Sequence, residues 1–179
     1  MAGADIRFAL FVALLAAAPS MAAAQTGLPG GASTLNETHG DWQVACATPE
    51  NVVRCTISQT QVTGQDRKRL LAVELAAAEG GKAANGALVL PFGLRLDDGV
   101  RLAIDDKAEP PVLRFSTCVP AGCVVPLAFD ADAVKRLSAG TKLGVAATAN
   151  EGGQDVAFSV SLSGFTSALA RAAELTRAQ

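Results

Sequence analysis

The sequence predicts an all-β fold: an antiparallel, immunoglobulin-like β-sandwich with one short helix and a C-terminal helix. About nine short apolar segments follow one another with turn residues between them, which is typical of a sandwich. Four cysteines fall into two closely spaced pairs, Cys46 with Cys55 and Cys118 with Cys123. An apolar stretch near the N-terminus precedes both pairs. Together these observations predict a small exported domain that is held by two local disulfides.

Residues 1–24 are predicted to be a signal peptide that is cleaved after Ala24. Arg7 precedes an apolar run over residues 8–18, which is too short to span a membrane, and small residues occupy positions 22–24. Residues 25–38 are rich in Gly, Ser, Thr and Pro and show no periodicity, so we expect a flexible leader there. Residues 39–179 are then predicted to form a single domain.

The domain is predicted to begin with a β-hairpin. Trp42, Val44 and Cys46 alternate with Gln43 and Ala45, and the same alternation places Val53, Cys55 and Ile57 on one face of the next segment. The residues between these segments, Thr48-Pro49-Glu50-Asn51, are typical of a turn. Such a hairpin places Cys46 and Cys55 on facing strands near the turn.

Further strands are predicted at residues 70–75, 87–90, 94–96, 100–104, 112–118, 123–128, 143–149 and 156–162. We expect loops at 80–86 and at Pro110-Pro111, and a tight turn at Asp97-Asp98-Gly99. Asp130 or Asp132 can cap a short helix that ends at Gly140. A second helix is predicted from Phe165 to the C-terminus, because apolar residues recur there at helical spacing.

The cysteines admit other interpretations. Cys118 and Cys123 bracket Val119-Pro120-Ala121-Gly122, a segment that reverses the chain, and this favours a local disulfide. Crossed pairing, such as Cys46 with Cys118, stays open. A zinc site fits poorly, because structural zinc prefers cysteines that are about two to four residues apart. Thiol–disulfide enzymes use two intervening residues at the start of a helix, and neither pair has that spacing.

No catalytic, metal-binding or cofactor-binding residues are predicted. His39 is the only histidine, so any histidine-based mechanism depends on it. The sequence contains neither a G-x-S-x-G nucleophile motif nor a phosphate-binding glycine loop. Asp97, Asp98, Asp105 and Asp106 are interpreted as solvated turn and strand-end residues. A net charge of -2, one tryptophan and no tyrosine argue against nucleic acid as a partner.

Several short motifs together resemble the invasion-associated locus B family of exported proteobacterial proteins. They are Gly40-Asp41-Trp42 followed by Cys46, Cys55 and Gln59; Leu90-Pro91-Phe92-Gly93-Leu94; Gly99-Val100 with Ile104-Asp105; Cys118 with Gly122-Cys123; and Leu162-Ser163-Gly164-Phe165 leading into Ala168-Leu169. The resemblance implies a periplasmic or surface-associated β-sandwich without known enzymatic activity. It carries over no catalytic or ligand-binding residue. From the residues themselves, Gly40-Asp41-Trp42 is interpreted as a structural motif in which Trp42 anchors the core.

The sequence therefore predicts an exported, non-catalytic envelope protein that binds a protein or a cell-envelope component. The expected location is the periplasm, the outer surface or the medium. In pathogenic relatives the family is linked to entry into host cells, so a similar link is an expectation for this chain. The alternative is a small periplasmic redox or hydrolytic enzyme that uses Cys118 and Cys123 or His39. A third interpretation is a structural or stress-related envelope protein with no defined ligand.

Overall fold

The computed structural model describes residues 27–64 and 66–177, and β-strands dominate it. Two α-helices are present in these ranges, α1 at Ala131–Ala139 and α2 at Phe165–Arg177. The strands are β1 Thr34–His39, β2 Trp42–Ala47, β3 Arg54–Val62, β4 Arg69–Ala78, β5 Ala83–Leu90, β6 Val100–Ile104, β7 Lys107–Leu113, β8 Thr117–Val119, β9 Gly122–Phe129, β10 Lys142–Thr148 and β11 Asp155–Ser161.

The strands form two antiparallel sheets. A seven-stranded sheet has the order β1-β2-β3-β4-β5-β9-β8, and a four-stranded sheet has the order β11-β10-β6-β7. Every strand pairs antiparallel with its neighbours. The predicted antiparallel β-sandwich with two helices is thereby confirmed.

One hydrophobic core lies between the sheets and under α2. Strand residues alternate between buried and exposed positions, so that Val44, Ile57 and Val125 are fully buried on the inner face of the large sheet. Val160 of β11 is also fully buried. Helix α2 contributes Phe165, Ala168, Leu169, Ala172 and Leu175, which recur at helical spacing.

Both predicted helices are confirmed. The carboxylate of Asp130 accepts a hydrogen bond from the backbone N–H of Ala133 over 2.8 Å, so Asp130 is the N-cap of α1. Helix α1 ends before Gly140, whose N–H donates to the carbonyl oxygens of Arg136 and Leu137. Val134 and Leu137 form its buried face.

The predicted flexible leader is wrong over residues 34–38. These residues belong to β1, which pairs with β2 from Thr34 opposite Ala47 to His39 opposite Trp42. Strand β1 was not predicted because it lies at the edge of the sheet and Leu35 is its only large apolar residue. Leu28 is also buried, so the core begins before residue 39. The predicted signal peptide, and residues 25 and 26 of the leader, lie outside the described residues.

Two predicted loops are also corrected. Asn85-Gly86 lies inside β5, where Gly86 packs directly against the backbone of Glu74 and leaves no room for a side chain. Pro110 and Pro111 lie within β7, an edge strand on which missing N–H donors are tolerated.

Asp105 and Asp106 form the tight turn between β6 and β7, with φ of 46° and 67°. By contrast, the predicted hairpin around Asp97-Asp98-Gly99 does not form. Leu94 makes one isolated bridge to Ala149, and residues 96–98 form a 3-10 turn. No helix in the described ranges is long and apolar enough to cross a membrane.

Candidate functional site

The four cysteines form two disulfides, each between residues that face each other on neighbouring strands. Cys46 of β2 pairs with Cys55 of β3, with Cα atoms 4.1 Å apart. Cys118 of β8 pairs with Cys123 of β9, with Cα atoms 3.9 Å apart. The predicted local pairing is confirmed, crossed pairing is excluded, and none of the four cysteines is free to ligate zinc in this state.

The two disulfides differ in exposure. Cys46 and Cys55 are both buried in the core. Cys123 is buried as well, but Cys118 lies on the exposed edge strand β8. Of the two disulfides, only Cys118–Cys123 therefore includes an exposed residue that reagents in solution can reach.

Trp42 anchors the core beneath α2. Its side chain is 1% exposed and meets the ring of Phe165 edge to face, with centroids 5.3 Å apart. The indole N–H donates to the carbonyl oxygen of Ser161 over 2.9 Å. The indole thus joins the large sheet, to which Trp42 belongs, to the small sheet and α2, which is a packing role.

Gly40 and Gly164 allow the β1–β2 turn and the segment between β11 and α2 to cross closely beside Trp42. Gly40 has φ of 56°, and a Cβ atom there would lie 2.7 Å from the carbonyl oxygen of Ser163. Gly164 has φ of 86°, and a Cβ atom there would overlap the carbonyl oxygen of His39. The N–H of Asp41 donates to Ser163 over 3.1 Å. Gly40-Asp41-Trp42 is therefore a structural corner that joins the β1–β2 turn to the segment between β11 and α2.

Two glutamines close one flank of the sandwich. Gln59 is buried, and its amide group donates to the carbonyl oxygen of Ser161 and accepts from its N–H, both over 3.0 Å. Gln61 donates to the carbonyl oxygen of Ser159. These side chains satisfy the edge of β11 as a neighbouring strand would. In the sequence, these two glutamines occupy alternate positions on a face of β3 that is otherwise apolar. From the sequence, only Gln59 was named, as part of a family motif, and it was assigned no role.

His39 belongs to an ion-pair network between β1 and α2. Its Nε2 atom lies 3.2 Å from a carboxylate oxygen of Glu37. The guanidinium of Arg171 donates to both oxygens of Glu37, at 2.9–3.2 Å, and to Glu174 at 3.1 Å. Because Arg171 hydrogen-bonds the carboxylate, the pKa of Glu37 is lowered and that of Arg171 is raised. The imidazole thus pairs with a carboxylate that is already held by Arg171.

The candidate acidic residues do not converge on one site. Asp105 accepts hydrogen bonds from the hydroxyl and N–H of Thr141 and from the N–H of Lys142, which lower its pKa. Asp98 pairs with Arg95 at 3.8 Å. Within the described ranges, no group of three or more His, Cys, Asp or Glu residues is arranged to hold a metal ion.

A cleft of about 400 Å³ opens on the flank opposite Gln59, between β5, β7, β9 and α1. Leu102, Leu113 and Phe129 line its apolar part. Arg136 of α1 bridges to Glu109 of β7 through hydrogen bonds of 2.8–3.1 Å, which raise the pKa of the guanidinium. The bridge pairs two of the charged groups that line this cleft, and a third, Asp130, is held as the N-cap of α1.

One end of the large sheet exposes apolar side chains. Val62 at the end of β3 is 44% exposed, Phe92 after β5 is 61% exposed and Val119 of β8 is 40% exposed. We call these three residues the strand-end surface. Val52, 41% exposed, lies at the opposite end, in the turn between β2 and β3. Sequence reasoning quoted Phe92 and Val119 only as parts of motifs and did not identify this surface.

These features define a small, disulfide-stapled β-sandwich domain whose recognisable motifs hold the fold together. The chain belongs to the invasion-associated locus B family. The sequence model of the family described as Invasion associated locus B (IalB) protein matches residues 42–173. This match begins at Trp42 and covers both disulfides, and it confirms the resemblance that the sequence motifs indicated.

Individual relatives agree with the family. The chain is 46% identical over 158 residues to an invasion protein B homologue of Brucella abortus, covering 88% of this chain and 90% of the relative. It is 38% identical over 174 residues to invasion protein B of Bartonella bacilliformis, covering 95% and 89%. The crystal structure of invasion associated protein b from Bartonella henselae superposes with a TM-score of 0.74 at 32% identity, covering 80% of this chain and 97% of that one. These three names describe invasion proteins.

Proposed function

We propose that this protein is an exported, non-catalytic envelope protein that binds a protein or cell-envelope component through the strand-end surface. The observation that carries the proposal is the exposure of Phe92, the most exposed large apolar side chain among the described residues. Exposed apolar residues grouped on one part of a surface commonly mark interaction sites. Val62 and Val119 are also exposed and lie at the same end of the sheet.

Export and location are part of the same proposal. Two disulfides favour an oxidising compartment, and the predicted signal peptide supplies a route to it. We infer that the processed protein works in the periplasm or at the outer surface. The relatives' names support an association with host-cell invasion in organisms that invade cells.

Site-specific photocrosslinking in the native envelope tests this proposal. A photoreactive residue at position 92 is expected to capture a specific component reproducibly, whereas one at position 52 is not. Val52 is a suitable control because its exposure is similar to that of the strand-end residues and it lies at the opposite end of the sheet. Equal capture at both positions, or none at position 92, would contradict the proposal.

The enzyme alternative has its own test. An enzyme built on His39 would lose turnover in a His39→Ala variant that still folds. Because His39 contacts Glu37, folding of the variant is checked by circular dichroism. Turnover by the parent protein that this substitution abolishes would replace the binding proposal with a catalytic one.

A further inference from the structure

The strand-end surface lies where five strands of the large sheet end or begin. Strand β3 ends at Val62, which pairs with Arg69 at the start of β4. Leu90 at the end of β5 pairs with Cys123, and Val119 of β8 pairs with Gly122 beside it. The β3–β4 loop, the segment after β5 and the β8–β9 turn are therefore neighbours at one end of the sheet.

The segment that presents Phe92 is held in place on both sides. Leu90 before it and Leu94 after it are buried in the core. The carbonyl oxygen of Gly93 accepts from Asn150, and the N–H of Arg95 donates to Thr148, both over 2.8 Å. Phe92 is thus exposed on a fixed support, so binding through it costs little ordering of the backbone.

Three consecutive cations lie beside this apolar surface. Arg67, Lys68 and Arg69 are exposed, and none of them forms an ion pair within the part of the chain that the structure describes. Asp66 is the one acidic residue of the same loop. The β3–β4 loop therefore carries a local excess of positive charge on a protein whose net charge is -2.

Further charges near this end lie in neighbouring connections. Arg95 pairs with Asp98, while Asp97 and Glu151 lie in the β5–β6 and β10–β11 connections. Asp41 occupies the β1–β2 turn. Positive charge and exposed apolar groups thus coincide at this end of β3, β4 and β5, and apart from Asp66 the acidic groups lie in the flanking connections.

We propose that the strand-end surface, with Arg67, Lys68 and Arg69, docks onto the surface of an anionic lipid bilayer. The inference rests on the proposed function and names the envelope component. Phe92, Val62 and Val119 enter the boundary between headgroups and acyl chains, where aromatic residues are favoured. The three cations meet lipid phosphates, and the unpaired charge on this loop is complementary to them.

The size of the effect follows from this arrangement. A basic residue near an anionic membrane strengthens binding by about fivefold, so three of them contribute about a hundredfold at low salt. Asp66 offsets part of this gain. Because three cations and a few apolar side chains provide only reversible attachment, we expect a peripheral protein that high salt releases.

Vesicle co-sedimentation tests the proposal with the processed protein, its N-terminus checked by mass spectrometry. Vesicles of phosphatidylcholine alone are compared with vesicles that also contain phosphatidylglycerol, at low and high salt. One variant is Phe92→Ser, and the other combines Arg67→Gln, Lys68→Gln and Arg69→Gln. Controls at the opposite end are Val52→Ser and the pair Arg54→Gln with Lys82→Gln, which are also exposed and remove two charges.

We expect binding only to vesicles with phosphatidylglycerol, a loss of tenfold or more in the triple variant, a several-fold loss in Phe92→Ser, and no change in either control. Thermal unfolding verifies that each variant is folded. Equal binding to both vesicle types, or equal losses in the strand-end variants and the controls, would overturn the proposal. If position 92 crosslinks a protein in the envelope while vesicles are not bound, the lipid proposal fails and the proposed function stands; failure of both experiments refutes both.

Discussion

The indole nitrogen of Trp42 lies 2.9 Å from the carbonyl oxygen of Ser161, although 119 residues separate the two in the chain. The amide group of Gln59 reaches the same carbonyl oxygen over 3.0 Å. One peptide group at the end of β11 is therefore held by side chains from two strands of the opposite sheet. This explains how a sandwich without strand pairing between its sheets is closed along this flank.

The first prediction concerns Trp42→Phe. The change removes the hydrogen bond to Ser161 and leaves a cavity beside Phe165, so we expect a loss of about 2–3 kcal/mol in the free energy of unfolding. Urea unfolding is followed by far-ultraviolet circular dichroism, since Trp42 is the only tryptophan. A loss below about 0.5 kcal/mol, as is usual for surface substitutions, would contradict the anchoring role.

The second prediction compares two glycines with positive φ. At Gly164 a Cβ atom would overlap the backbone of His39, whereas at Gly30, with φ of 69°, it would meet nothing within 4 Å. We therefore expect Gly30→Ala to cost about 1–2 kcal/mol, from backbone strain alone. Gly164→Ala should cost clearly more or prevent folding. Equal losses in thermal unfolding would show that the crossing of the two segments is not tight.

The third prediction concerns the order in which the disulfides are reduced. Alkylation of the native protein should label no cysteine, because all four are paired. Under mild reduction we expect Cys118–Cys123 to open before Cys46–Cys55, because Cys118 is exposed and the other pair is buried. Timed alkylation with mass spectrometry measures this order. Ready labelling without reductant would refute the structural role of the cysteines.

The stability contributed by the exposed disulfide can be measured separately. Replacing both Cys118 and Cys123 with serine should lower the free energy of unfolding by about 2 kcal/mol, as expected for a short closed loop. Strand β8 pairs only with β9, so the rest of the large sheet should remain paired. A collapse of the whole fold would indicate a larger role for this disulfide.

The fourth prediction concerns acid stability. Arg171 lowers the pKa of Glu37 below its ordinary value of 4.5, so the ionised carboxylate stabilises the folded state at neutral pH. This contribution is present above pH 4.5 and is lost as the pH falls through the lowered pKa. Glu37→Gln should therefore cost about 1 kcal/mol at pH 7, since the pair is partly exposed, and less in strong acid.

The free energies of unfolding of the parent protein and of Glu37→Gln are compared by urea unfolding from pH 7 to strong acid. Asp105, whose pKa is lowered chiefly by the hydroxyl of Thr141, adds acid sensitivity in the same direction and remains in both proteins. The difference between parent and variant isolates the Glu37 contribution. A constant difference from pH 7 to strong acid would show that Glu37 acts by packing and not by charge.

Much of the fold was predictable because local patterns encode it. Strands β2, β3, β10 and β11 alternate between buried and exposed residues, and α1 has its cap and its C-terminal glycine in sequence. Strand β1 was not predictable, because only pairing with β2 supports it. Pro110 and Pro111 signalled a loop, yet they lie in a strand whose outer edge needs no donors.

The candidate sites also include features that were predictable from local sequence and features that depend on distant contacts. The chain order of the cysteines indicated both disulfides, because short spacings bring their ends together without help from the rest of the fold. The roles of Gln59 and Gln61 depend on a strand about a hundred residues away. The strand-end surface depends on five strands that end or begin side by side, and no local pattern in the sequence records where a strand stops relative to its neighbours.

The sequence by itself determined the class of fold and the family of this protein and favoured the two local disulfides, because each of these rests on short-range spacing or on recognisable motifs. Only the tertiary structure decided that Gly40-Asp41-Trp42 is a packing corner, that His39 pairs with a carboxylate held by Arg171, and that Phe92 is presented to solvent. The physical reason is that burial, hydrogen-bond partners and exposure are set by which distant segments meet, and that arrangement exists only once both sheets and α2 have packed together.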